Sequence, residues 1–109
     1  MTLWLYLLQR LSALILAPLV LAHIALVIYA TRDGLSAAEI LARTQGSAGW
    51  AVFYGLFVLA AAVHAPIGLR NVIREATPWQ GRGLDLAMAL VCVLLLALGA
   101  RAVVAVVAP

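Results

Sequence analysis

The sequence predicts an all-α fold: an integral membrane bundle of three helices with a short interfacial helix in the first loop. Three observations predict it. Of the 109 residues 67% are hydrophobic and 10% charged, whereas a soluble domain carries about a quarter charged residues. The charged residues divide the chain into three apolar blocks, Leu11 to Thr31, Gly46 to Leu69 and Leu86 to Val107, the last broken only by Arg101. Each block is about 20 residues or slightly longer, enough to cross a hydrocarbon core about 30 Å thick as a helix.

The expected helices cover about residues 4–31, 46–75 and 84–107 of a single transmembrane domain, 1–109. The first resembles a signal peptide only superficially. It runs past 20 residues and lacks a cleavable small-residue end, so it is expected to be retained. In the first loop, "TRDGLSAAEILARTQGSAG", Asp33-Gly34 signals a turn. Ser36 followed by Glu39 is a capping-box pattern ahead of Ile40 and Leu41, which predicts a short interfacial helix on the outer face. In the second loop, "TPWQGRG", Pro78, Gly81 and Gly83 stop the second span and Trp79 suits the headgroup level.

All seven basic residues are arginines and the net charge is +3, too small and too scattered for nucleic acid. Arg70, Arg74 and Arg82 crowd the second loop and Arg10 opens the first helix, whereas Arg32 and Arg43 are offset by Asp33 and Glu39. The positive-inside rule therefore puts the amino terminus and second loop in the cytoplasm. The one cysteine, Cys92, excludes an intramolecular disulfide. It fits helix packing.

About twenty polar loop residues cannot form an independent catalytic domain, so the chemistry must lie in the spans or in partners. A polar residue within a span is a functional candidate, because lipid offers it no partner. His64 and His23 qualify as haem-iron ligands, the alternative being neutral histidines bonded to a neighbouring helix. Same-face neighbours of His64 are Ala60, Ala61 and Gly68, with Asn71 a turn further on. These form a small-residue slot that suits either a flat macrocycle or close helix packing, and that faces lipid until a partner chain covers it. Pro66 frees the carbonyl of Ala62 and bends the helix beside the histidine. His23 has bulkier neighbours, Leu19, Val20, Leu26 and Val27.

Depth separates the two histidines. His23 lies about 20 Å beyond Arg10 and His64 about 9 Å from Arg70, so they do not clamp one iron. Arg10 either snorkels to headgroups or pairs with a haem propionate or quinone carbonyl, as can Arg70 and Arg74. Ser12, Tyr6 and Trp4 suit a quinone ring or serve as ordinary interface anchors.

"HAPIGLRNVIRE", His64 to Glu75, resembles the second-helix signature of the cytochrome b membrane-anchor subunits of succinate dehydrogenase and fumarate reductase. The shared positions are His64, Gly68, Leu69, Arg70 and, as glutamate for aspartate, Glu75. "LLQRLSALIL" is similar to the family's first-helix segment through Arg10 and Ser12. Gln9, Tyr6 and Asn71 depart from it, standing where the family commonly has histidine, a quinone-contacting serine, and a propionate-associated histidine. The resemblance implies a complex in which a flavoprotein oxidises succinate, an iron-sulfur subunit relays electrons and the anchor passes them to quinone. It implies haem b, either one or two shared with a partner chain, and iron bound by His64 and His23. Arg70 and Arg10 join them as cofactor contacts, and Arg10, Ser12 and Tyr6 contact quinone. It also implies a second anchor chain or second copy as partner, and a bacterial-type inner membrane. The competing readings are a small transporter or channel component with intramembrane histidines, and an anchor without cofactor.

Overall fold

The structure, a computed structural model, describes residues 2–109. Its four helices are α1 (Leu3–Arg32), α2 (Ala37–Thr44), α3 (Ala48–Ala76) and α4 (Arg82–Val107), and the described residues contain no strand. Helices α1, α3 and α4 are long and apolar enough to cross a membrane. At 30, 29 and 26 residues they run about 45, 44 and 39 Å, so each exceeds the hydrocarbon core and reaches into the headgroups. The bundle is 48 Å long and 23 × 22 Å across.

Local chemistry sets the helix ends. The Thr2 and Ser47 side chains accept from the Leu5 and Trp50 backbone N–H groups and start α1 and α3. The Ser36 capping box forms as the sequence pattern requires, with Ser36 Oγ accepting from the Glu39 N–H and Glu39 Oε1 from the Ser36 N–H. At the end of α3 the Thr77 hydroxyl donates to the Ile73 carbonyl, just before Pro78. Gly81, at φ 93°, leads into α4 in a backbone conformation that side chains disfavour. Prolines 18 and 66 lie inside α1 and α3, which both continue through them.

Helix α3 is the centre of the bundle and packs against both α1 and α4, which make no comparable contact with each other. The interior is correspondingly thin: Ala60, Ala62, Pro66 and Ile67 of α3, Leu84 and Met88 of α4, and Ser12 of α1. Small residues let the helices approach closely, which substitutes in lipid for a hydrophobic driving force. Gly99 shows this directly, since a side chain there would run into Val58. Short helix α2 is tied to the end of α4: the Thr44 hydroxyl donates to the Val106 carbonyl and the Gly46 N–H to the Val107 carbonyl. Two orphan carbonyls of α4 are thereby satisfied.

Candidate functional site

The α1–α3 seam carries both histidines. On α1, Ser12 and His23 are eleven residues apart, about 20° apart around the helix, and both turn toward α3. On α3, Phe57 and His64 share a face in the same way, seven residues apart. Ser12 meets His64 and His23 meets Phe57.

His64 is half-buried. Its Nδ1 lies 3.3 Å from Ser12 Oγ, and Ser12 Oγ lies 3.1 Å from the Gln9 carbonyl oxygen. Ser12 is only 4% exposed, so water does not compete for its hydroxyl. Among the described residues His64 makes its hydrogen-bond contact through Nδ1 and none through Nε2. An imidazole nitrogen without a partner in a hydrocarbon layer is costly, which makes this atom a ligand candidate.

The small-residue slot beside His64 does not face lipid as expected. Ala60 is 6% exposed, and a side chain at Gly68 would meet Gln9 Nε2 at 3.3 Å. Gly68 is therefore a close-packing position of the α1–α3 seam, approached by Gln9 of this chain's own α1, and Ala60 borders a cavity of about 160 Å³ that Leu11, Ser12 and Ile15 of α1 also line. The sequence periodicity located the face correctly, but it could not say which helix covers it.

His23 is packed edge-on against Tyr54 and Phe57, with ring centroids 6.1 and 5.4 Å away. Its Nδ1 is buried without a partner among the described residues. Two cavities meet at its ring: one of about 150 Å³ bordered by Tyr29, Arg43 and Trp50, and one of about 280 Å³ bordered by Phe57, Ala102 and Val106. With Ser12 marking the level of His64 on α1, the two histidines are about 16 Å apart along the bundle. One iron cannot join them.

The arginines divide between faces. Arg10 is exposed and has Tyr6, 47% exposed, one turn before it on the same side of α1. Ser12, two residues on from Arg10, points about 160° away from it and into the seam. Arg70 stands about 120° around α3 from His64 and turns to α4, where Nε donates to Asp85 Oδ1 at 2.7 Å. Its Nη1 is buried and without a partner among the described residues, beside a cavity of about 460 Å³ that Thr2, Pro66 and Met88 also line. Closer to the His64 face lie Asn71 and Arg74, which line a polar cavity of about 310 Å³ with Glu75 and Gln80. Sequence spacing alone does not signal the role of Asp85, whose contact depends on how the second loop folds back. Gln9, noted in the sequence only as a departure from the family pattern, sets its Nε2 against Gly68, and its Oε1 is buried without a partner among the described residues. The described residues hold no group of three or more histidine, cysteine or acidic side chains able to bind a metal ion.

Three spans with two half-buried polar rings in one seam define a multi-pass helical membrane protein. The family model of the succinate dehydrogenase/fumarate reductase transmembrane subunit matches residues 1–107, and the chain belongs to that family. It is thus a membrane-anchor subunit, working in the lipid bilayer within a complex of several subunits. No curated protein and no solved structure matches it.

Proposed function

We propose that the chain is the haem b-binding anchor of its complex and passes electrons between an iron-sulfur subunit and membrane quinone. The observation that carries this reading is His64. It is a histidine inside a span with Nδ1 held by Ser12 and Nε2 unengaged, the arrangement in which imidazole ligates iron. Bound haem would supply one-electron storage between the two partners. His64 would hold it through Nε2, and Arg74, on the nearer face of α3, would offer a cation to a propionate. Arg70, engaged by Asp85 on another face, serves the junction with α4 instead. A further ligand to that haem would come from a second anchor chain or a second copy, because His23 lies about 16 Å away. His23, with an unpaired nitrogen beside two cavities, is the candidate for a separate second haem at the outer side.

Quinone belongs at the start of α1, where Arg10 and Tyr6 share an outward face that a partner can cover. Arginine gives a quinone carbonyl a charge-assisted hydrogen bond, and tyrosine a flat amphipathic ring. With the amino terminus and second loop cytoplasmic, this end meets an iron-sulfur subunit and a flavoprotein subunit at a bacterial-type inner membrane.

Copurification followed by absorption spectroscopy tests the proposal. The complex should show a Soret band, sharp low-spin b-type bands on adding succinate, and their loss on adding oxidised quinone. A complex that reduces quinone with no haem band would leave only the anchoring role.

A further inference from the structure

We infer that Ser12 is a positioning residue for His64: it fixes the imidazole tautomer that frees Nε2 and tunes the electron donation of the ring. The inference rests on the haem reading above only for its second half. Its first half concerns this chain alone.

A serine hydroxyl has one hydrogen to give. Two acceptors stand near Ser12 Oγ, the Gln9 carbonyl at 3.1 Å and His64 Nδ1 at 3.3 Å. If the hydrogen goes to Gln9, as serines in helices commonly bond back to the preceding turn, the oxygen lone pair is left facing His64. Nδ1 must then carry the ring hydrogen and donate it, and Nε2 keeps its lone pair. If the hydrogen instead goes to Nδ1, the ring hydrogen moves to Nε2, which becomes a donor and cannot ligate. The shorter distance favours the first arrangement. So does the rule that metal-binding histidines donate their other N–H to an oxygen of the surrounding protein.

The second half follows from the same bond. An oxygen that accepts from Nδ1–H makes the ring a better electron donor, which favours ferric over ferrous iron at Nε2. Burial matters here, because at 4% exposure no water replaces the serine. Ser12 thereby acts on the cofactor without touching it, and Gln9 contributes a backbone carbonyl that no side-chain substitution removes.

Two measurements test this. In the full chain without haem, at alkaline pH where an ordinary imidazole is neutral, nitrogen NMR of His64 should show the hydrogen on Nδ1. Ser12→Ala should lose that preference and Ser12→Thr keep it. A wild-type ring with its hydrogen on Nε2 overturns the proposal. In the assembled complex, Ser12→Ala should raise the ratio of reduced to oxidised haem at fixed ambient potential by up to tenfold, an upward shift of up to about 59 mV. Ser12→Thr should restore it. A Ser12→Ala complex that holds less haem at an unchanged potential would reduce Ser12 to a packing residue and also overturns the proposal. Should haem prove not to bind His64 at all, the proposed function fails, and the NMR still judges the tautomer.

Discussion

Arg70 donates through Nε to Asp85 Oδ1 at 2.7 Å, while Nη1 of the same guanidinium is buried without a partner among the described residues. The pair joins the end of α3 to the start of α4, on a face of α3 that His64 does not share. Because the Asp85 side chain is 54% exposed, Asp85→Asn should cost less than about 1 kcal/mol in thermal unfolding. Arg70→Met should leave haem bands in the assembled complex, whereas Arg74→Met should lower haem content per chain. The reverse pattern would assign the propionate contact to Arg70.

Gly99 faces Val58 so closely that a methyl group cannot fit without displacing that side chain. Valine is stiff at χ1 in a helix and yields poorly. Gly99→Ala should therefore destabilise the α3–α4 packing by about 1–3 kcal/mol, and adding Val58→Ala should recover most of the loss. Thermal unfolding of the two single variants and the double variant in detergent reads the coupling directly.

Topology is open to chemical labelling. In a Cys92→Ala background, a cysteine at Ala38 in α2 should react with a membrane-impermeant maleimide added outside the cell. One at Gln80 should react only after the membrane is opened. The opposite pattern would place the amino terminus outside and detach the Arg10 end from the iron-sulfur subunit.

Much of the fold was legible because each signal was local. Block length announced the spans, and Ser36 with Glu39 announced α2 through a bond three residues long. Pairings across helices were not legible. The face of Ala60 and Gly68 could be read from periodicity, but its cover, Gln9 and Ser12 of α1, depends on the register between helices. Ser12 illustrates the limit well. Helical phase turns it away from Arg10, yet only the packed seam brings it to His64.

Quinone reduction should depend on the outward face of α1. Arg10→Leu removes a charge-assisted hydrogen bond of ~1.5–3 kcal/mol and should slow quinone reduction about 10- to 100-fold. Succinate oxidation with a soluble dye should continue. Tyr6→Phe should have a smaller effect, since it keeps the ring. Wild-type quinone turnover in both variants would move the pocket elsewhere.

The most direct measurement is the reduced-minus-oxidised spectrum of the assembled complex carrying His64→Ala, set beside wild type and His23→Ala. With His64 as axial ligand, His64→Ala loses a low-spin haem or converts it to high spin. His23→Ala leaves that haem intact, because about 16 Å separates the two side chains along the seam. A low-spin spectrum unchanged by His64→Ala, or one haem abolished by either substitution alone, would contradict the account.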